Sequence, residues 1–354
     1  MRGGSPARAV IEVLSLPRFR MLLPALALLA SAMAVIGGPP AEASKAPSLT
    51  AYQGLGSWVD IYDTQLWRDP AAVISEMHAH GVRTLFLETG NWRIDTKIFE
   101  PAVVANYVDE AHTQGMKVVA WYVPDFKSVD RDLARSLAAA RFTTSSGERF
   151  DSFGLDIEST EVRDPKVRTA EALLLSTRIR QAMGPSYPLA AIVPSPYAMR
   201  MIPTYWPGFP FEKFAALYDV FVPMGYFTFR TNGPTEAAAY TTATLSLLDE
   251  FTGGAPVHAI GGLASNTSGS EVAAFVGAAM HHGAIGASLY DFGTTGPEDW
   301  SALQAVKELA PRAPKPPTPT PPAPRPTVAP ARPALRDAPA LLPWCLCGSH
   351  LLAR

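Results

Sequence analysis

Two carboxylates separated by one residue stand near the middle of the chain, in the segment 150–159. Apolar and polar residues alternate through this segment, which predicts a β-strand with Asp156 and Glu158 on one face. Their backbone positions then lie roughly 6 to 7 Å apart. Two acids this close raise the proton affinity of at least one of them, so the pair is suited to donating a proton near neutral pH. An Asp-x-Glu pair can also simply cap a loop, so the rest of the chain must decide between the two interpretations.

The elements around this strand predict an α/β fold of the (β/α)8 TIM barrel type between residues 44 and 312. Short β-rich runs alternate there with amphipathic helical stretches, and the runs lie at 54–62, 82–88, 116–124, 150–158, 188–194, 219–227, 256–262 and 284–292. Such alternation implies a parallel sheet with right-handed crossovers, and about 250 residues is typical of the barrel. Only the fifth connection, 197–217, is irregular and reads as a loop around a weak helix. A doubly wound open sheet is the alternative, but the chain has no Gly-x-Gly-x-x-Gly turn after an early strand.

Acids and aromatic residues gather at the predicted C-terminal ends of the strands, where barrels place their catalytic groups. The candidates for substrate binding are Trp58, Asp60, Glu88, Tyr122, Tyr226, Tyr290 and Asp291, and other polar or aromatic residues at these ends are Asp63, Trp92, Asp125, Ser195 and Asn266. Carboxylates bind sugar hydroxyls in pairs, and flat rings cover the apolar faces of pyranoses. The set therefore predicts a carbohydrate-binding cleft, although each aromatic residue alone could simply wedge the barrel mouth.

Neither a metal site nor a cofactor is predicted. Five of the seven histidines lie in or next to predicted helices, at positions 78, 80, 112, 281 and 282. His80 and His282 each precede a glycine at a helix C-terminus, where an imidazole complements the helix dipole at the end of the barrel opposite the catalytic one. The glycines of the seventh and eighth strands, at 261, 262 and 293, have no lysine or arginine beside them and are read as plain turns, not as a phosphate site.

Composition and the two ends of the chain bear on localisation and partners. A net charge of -2 and 18% charged residues give no case for a nucleic-acid partner, and a monomer is expected. Residues 1–43 read as a signal peptide, with an apolar run at 21–36 followed by Ala41-Glu42-Ala43, so a secreted or cell-envelope protein starting near Ser44 is expected. A retained membrane anchor is the alternative. The only cysteines, Cys345 and Cys347, lie outside the predicted barrel and are too few for a structural zinc site.

The C-terminal segment 313–354 is predicted to be a disordered, proline-rich tail. Its first twenty residues combine proline with alanine, threonine, arginine and lysine, a composition that favours extended polyproline segments and cannot bury a core. The apolar stretch 341–354 is too short to span a bilayer. Association with the cell envelope through this tail is a further hypothesis.

The fourth strand resembles the signature of glycoside hydrolase family 18, the chitinases and chitinase-like lectins, which is written Asp-x-x-Asp-x-Asp-x-Glu. The aligned residues are Asp151, Gly154, Asp156 and Glu158, so a glycine replaces the second acid. The resemblance implies that Glu158 is the general acid. It also implies that Asp156 orients the substrate's 2-acetamido group, whose oxygen then acts as the nucleophile.

Two further strands are similar to those of the same family. The sixth resembles its Met-x-Tyr-Asp, with Tyr226 kept and Phe227 in place of the acid. The eighth looks like the strand that carries the family's pocket-floor tryptophan, with Tyr290 in its place. With two acids replaced, the chain looks more like the wider group of exported, glycoside-hydrolase-like barrels than like a chitinase.

The function predicted from these features is an exported glycosidase acting on a poly- or oligosaccharide, with Glu158 as the acid and Asp156 assisting. The seventh strand ends without a glutamate, which argues against barrels that pair an acid on strand four with a nucleophile on strand seven. The alternative is a non-catalytic carbohydrate-binding barrel, as chitinase-like lectins are, and it is favoured by the two replaced acids. A third hypothesis is a domain displayed at the cell surface by the tail, for which the barrel mouth is incidental.

Overall fold

The computed structural model describes residues 46–308 and shows a closed barrel of eight parallel strands, each paired with the next in the chain and the last with the first. The predicted (β/α)8 fold is therefore confirmed. The predicted signal peptide, the proline-rich tail and both cysteines lie outside the described residues. Within the described part of the chain, no helix is both long and apolar enough to cross a bilayer.

The strands fall inside the β-rich runs of the sequence or within a few residues of them. They are β1 (Gly54–Val59), β2 (Thr84–Asn91), β3 (Lys117–Val123), β4 (Ser152–Asp156), β5 (Leu189–Pro194), β6 (Val220–Met224), β7 (His258–Leu263) and β8 (Gly286–Tyr290). The helices are α1 (Pro70–Ala79), α2 (Pro101–Thr113), α3 (Val129–Ala140), α4 (Pro165–Met183), α5 (Pro196–Met201), α6 (Phe211–Ala215), α7 (Pro234–Thr252), α8 (Gly269–His281) and α9 (Pro297–Leu303). The irregular fifth connection holds two short helices, α5 and α6, where the sequence indicated one weak helix.

Local sequence signals explain where the helices begin and end. Asp69, Ser128 and Asp164 precede α1, α3 and α4, and each side chain accepts hydrogen bonds from first-turn backbone N–H groups. Such caps satisfy donors that the helix itself cannot pair. Gly184 and Gly253, both at positive φ, follow α4 and α7 and end them.

The alternation of residues along each strand divides the core into two apolar layers. Phe153 and Leu155 of β4, and Ile157 directly after it, are fully buried in the layer between the sheet and the helices. Trp58 and Phe86 lie in the second layer, which fills the inside of the barrel. Residues on the same strand face as Asp156 therefore point into the barrel, where they meet side chains from the other strands.

Neutral hydrogen bonds close the N-terminal end of the barrel. The hydroxyl of Tyr52 bonds the Ser152 hydroxyl at 2.6 Å, and Nδ1 of the buried His258 donates to the Tyr52 carbonyl at 2.9 Å. Nε2 of His258 lies 3.0 Å from the Ser288 hydroxyl. Burial lowers the pKa of His258 to about 4, so the ring is neutral and accepts the Ser288 proton at Nε2.

The first acid of the aligned signature, Asp151, lies at this closed end as well. Its carboxylate pairs with Lys117 at 2.7 Å and with His112 at 3.0 Å, and it accepts the Val118 N–H at 2.9 Å. These contacts tie the start of β4 to β3 and to the end of α2. Asp151 therefore has a structural role far from the barrel mouth.

Candidate active site

Three acids from two strands meet inside the C-terminal mouth of the barrel. Glu88 lies on β2, Asp156 ends β4, and Glu158 follows it; they are only 1%, 2% and 7% exposed. Both Glu158 and Glu88 exert repulsion on the Asp156 carboxylate, so the three groups share one electrostatic environment. The structure thus brings together the pair that the sequence singled out and adds Glu88 from the list of candidates.

Burial raises the pKa of each of these acids, and repulsion from neighbouring carboxylates adds to the rise for Glu88 and Asp156. Burial raises the pKa of Glu158 to about 7, against the opposing effect of the nearby Arg93 cation. The pKa of Glu88 rises to about 8, first through burial and then through repulsion from Asp60. Burial, followed by Glu158 and Glu88, raises the pKa of Asp156 well above its ordinary range. An acid with a pKa near 7 holds a proton part of the time at neutral pH and can deliver it to a leaving group.

Backbone and side-chain contacts hold these acids in place. Glu88 accepts hydrogen bonds from the Ile61 N–H and from the Asn91 side-chain amide, both at 3.0 Å. The residue before Glu158, Ile157, donates its N–H to the Ile192 carbonyl at 2.8 Å. The Tyr205 hydroxyl, from the irregular fifth connection, donates to the backbone carbonyl of Glu158 in a short hydrogen bond. The irregular connection therefore helps to position the predicted general acid.

Three aspartates form a second acidic group beside the first, at the ends of β1 and β8. Asp60, Asp63 and Asp291 each offer a carboxylate oxygen within 4.8 Å of those of the other two. Asp60 accepts the Tyr62 N–H at 2.7 Å. Burial and then repulsion from Asp291 and Asp60 raise the pKa of Asp63 to about 7. Clustered carboxylate oxygens suit hard cations such as Ca²⁺ or Mg²⁺, so these are the described residues that could hold a metal ion. The metal prediction from sequence weighed the histidines and the two cysteines and did not combine these aspartates.

The aromatic candidates separate into cleft residues and core residues. Tyr226 and Tyr290 lie next to each other, with ring centroids 6.3 Å apart, and the Tyr290 hydroxyl donates a short hydrogen bond to Asp60. Trp58 is 1% exposed, stacks on Phe86 with centroids 4.2 Å apart, and donates its indole N–H to Ser288 at 2.8 Å. The two tyrosines therefore line the mouth, whereas Trp58 fills the barrel below it.

Tyr122, like Trp58, is a predicted site residue that the structure places away from the mouth. It is 1% exposed in the outer layer, and its hydroxyl donates to Asp132 of α3 at 2.8 Å. Its neighbour Trp121 points into the barrel instead and contacts Trp58 edge to face at 5.7 Å. Both faces of β3 are apolar, as is usual in parallel sheets, so composition gives no cue to which face turns inward. Register with Glu88 on β2 is the signal that would have selected Trp121.

The two replaced acids of the aligned signature have direct structural explanations. A Cβ added at Gly154 would lie 2.9 Å from Cδ1 of Ile192, so an aspartate there would require the Ile192 side chain to shift. Phe227 is fully buried in the outer layer and packs near Phe275, with centroids 6.1 Å apart. Neither position contributes a polar group to the mouth.

Comparison with known proteins gives a likeness of fold and no match of sequence. The sequence matches no protein-family model and no curated protein. An endo-β-1,4-mannanase from Thermotoga petrophila aligns with a TM-score of 0.57 and 10% identity over 73% of this chain and 77% of its own. A chitinase from Bacteroides thetaiotaomicron gives 0.54 and 10% over 72% and 94%, and a class V chitinase from Pseudomonas fluorescens Pf-5 gives 0.52 and 13% over 72% and 99%. At these identities the likeness establishes the fold, a parallel eight-stranded barrel.

Proposed function

We propose that the protein is a glycoside hydrolase in which Glu158 donates a proton to the glycosidic oxygen, assisted by Asp156 and Tyr226. The observation that carries this proposal is a buried carboxyl with a pKa of about 7, next to a second buried acid, inside the mouth of a barrel. The fold likeness to mannanases and chitinases supports it. The substrate is then a carbohydrate, and the tyrosines at the mouth provide rings against which a sugar can pack.

The protonation states favour one route for the displacement step over another. A glutamate nucleophile must be ionised, but the pKa of Glu88 is about 8, so in the free protein this group is mostly neutral at pH 7. Its two oxygens are also engaged by Ile61 and Asn91. Asp156 has one oxygen without a partner and lies beside Glu158. Orientation of a substrate group by Asp156, as the resemblance implies, therefore fits the site better than covalent attack by Glu88.

The decisive experiment replaces Glu158 with glutamine, which keeps the shape and removes the proton. Turnover of N-acetylchito-oligosaccharides and manno-oligosaccharides is followed by the release of reducing ends. We expect E158Q to lose a factor of about 10² to 10⁴ in kcat while still binding the sugar. E161Q is the matched control, because Glu161 lies on an exposed rim and pairs with Lys127 at 2.5 Å. Equal turnover by E158Q and the parent would refute the assignment.

A carbohydrate-binding barrel without turnover is the second candidate. It is favoured by Gly154 and Phe227, which stand where the resembling signature has acids and cannot supply polar groups to the mouth. Binding of an oligosaccharide with no reducing ends released by the parent protein over a long incubation would establish this alternative. Any reproducible release that E158Q abolishes would exclude it.

Export completes the proposal. We infer from the sequence that residues 1–43 are removed and that the mature protein is secreted or held at the cell envelope. The intact mass and the N-terminal sequence of the protein recovered from culture medium and from envelope fractions test this directly. A mature chain that starts near Ser44 is expected, and an uncleaved chain retained in the membrane fraction would replace export with anchoring.

A further inference from the structure

The buried polar side-chain atoms without a hydrogen-bond partner among the described residues include two on the inner faces of β3 and β4. These two are Nε1 of Trp121 and Oδ1 of Asp156, on side chains that are 1% and 2% exposed. Folded proteins pair the large majority of such atoms, so each unpaired one needs an explanation. One of these atoms is a hydrogen-bond donor, and the other belongs to a carboxyl group that accepts when it is ionised.

The two atoms belong to neighbouring strands and to the same interior face. Trp121 on β3 is in register with Glu88 on one side and with Gly154 on the other. Asp156 follows Gly154 by two residues and therefore points the same way. The indole thus lies in the layer of the barrel that holds the acids, not at the neutral end closed by Tyr52.

A second tryptophan in the same interior shows that the barrel can satisfy an indole N–H. Trp58 lies against Trp121, with centroids 5.7 Å apart, and donates to the Ser288 hydroxyl at 2.8 Å. Packing alone would hold either indole ring in place even if its N–H had no hydrogen-bond partner. The barrel interior therefore offers a partner to the indole of Trp58, whereas the equally buried indole of Trp121 has none among the described residues.

We propose that Trp121 and Asp156 together bind one polar substituent of the substrate, either a hydroxyl or a secondary amide, with the indole N–H as the donor. The inference rests on the proposed function and deepens it. A hydroxyl or an N–H/C=O group can accept a hydrogen bond from the indole N–H and donate one to Oδ1 of Asp156, so both buried atoms become paired at once. An apolar substituent or an ammonium group cannot accept from the indole. Trp121 is thereby a binding residue that fixes which substituent enters the site.

The test measures affinity in the E158Q background, which prevents turnover, by calorimetry with N-acetylchitohexaose and with mannohexaose. W121F removes the N–H, and W58F is the matched control that removes an N–H already paired within the protein. We expect W121F to bind about tenfold more weakly to the probe that carries the recognised substituent. W58F should lower the melting temperature and leave the affinity within about twofold, because its partner is Ser288. A loss confined to the chitin probe identifies the amide, and a loss for mannohexaose identifies the hydroxyl.

A double-mutant comparison separates shared binding from a general loosening of the barrel. If Trp121 and Asp156 hold the same group, the affinity lost in W121F/D156N is smaller than the product of the two single losses. If the affinity lost in the double variant equals the product of the two single losses, or if W121F binds both probes as tightly as its E158Q parent, this inference is overturned and the proposed function is not. If E158Q and the parent bind neither probe and the parent cleaves neither, the proposed function fails and this inference fails with it.

Discussion

Replacing Glu158 with glutamine should stabilise the protein at alkaline pH, and the structure gives the size of the effect. Burial raises the pKa of this group from 4.5 to about 7. The folded chain therefore keeps a proton that the unfolded chain has already released between these two pH values. Below about pH 4.5 both states are protonated and the contribution is fully present; as the pH rises through 7 it is lost. The difference corresponds to about 3 kcal/mol of unfolding free energy.

Glutamine carries no charge at any pH, so the unfolding free energy of E158Q does not fall in this way as the pH rises. The unfolding free energy of E158Q minus that of the parent should therefore increase by about 3 kcal/mol between pH 4 and pH 8.5. At about 2 to 4 °C for each kcal/mol in a domain of this size, the melting temperature of E158Q should gain roughly 6 to 12 °C on the parent across that range. Thermal unfolding of both proteins, followed by circular dichroism at several pH values, measures this.

The control variant and the refuting result both test whether burial of Glu158 shifts its pKa. E161Q alters an acid whose side chain is 39% exposed, and its stability difference from the parent should not change with pH. A constant difference between E158Q and the parent from pH 4 to pH 8.5 would mean that Glu158 ionises as freely in the fold as in water. The geometric basis of the general-acid assignment would then be lost, whatever the activity measurements show.

Three further outcomes follow from the described contacts. The kcat/KM of the parent should fall as the pH rises through about 7, because Glu158 must hold its proton to donate it; a basic limb well above pH 8 would contradict this. G154D should have an unfolding free energy about 1 to 3 kcal/mol lower than the parent, measured by chemical denaturation, because its side chain meets Ile192. An added I192A should cost less in the G154D background than in the parent, and additive losses would argue against the clash. Y122F should lose about 1 to 3 kcal/mol, since Asp132 is left with one partner fewer, but should keep the kcat of the parent; a fall in kcat without a loss of stability would place Tyr122 in the site after all.

The sequence predicted the barrel and the inward direction of the fourth strand because β4 is polar on one face only. Phe153 and Leu155 alternate with Asp156 and so lie on the opposite face, and this wholly apolar face is the one that packs against the helices. On β3 both faces are apolar, and the same reasoning chose Tyr122 although Trp121 is the inward residue. Which face of such a strand turns into the barrel depends on its register with the neighbouring strands, and a single sequence does not show that register.

The sequence likewise does not predict distances between residues that are far apart in the chain. The approach of Asp63 to Asp291 joins the first strand to the last and depends on closure of the ring of strands. The bond from Tyr205 to the carbonyl of Glu158 arises in the connection that had no regular pattern. The close approach to Gly154 depends on which side chain of β5 faces it, and only the folded structure identifies that side chain as Ile192.

The closed end of the barrel sets a rule for how a catalytic cycle would be completed. His258, Tyr52 and Ser152 bond to one another or to backbone and Ser288 groups, and the histidine, with a pKa of about 4, is uncharged at neutral pH and supplies no acidic proton to the mouth. The water that hydrolyses the reacted sugar, and whose proton returns to Glu158, would therefore enter through the same opening that admits the sugar. A leaving group that stays seated across the mouth after cleavage would delay the entry of that water, so departure of the leaving group and restoration of the acid would be kinetically linked.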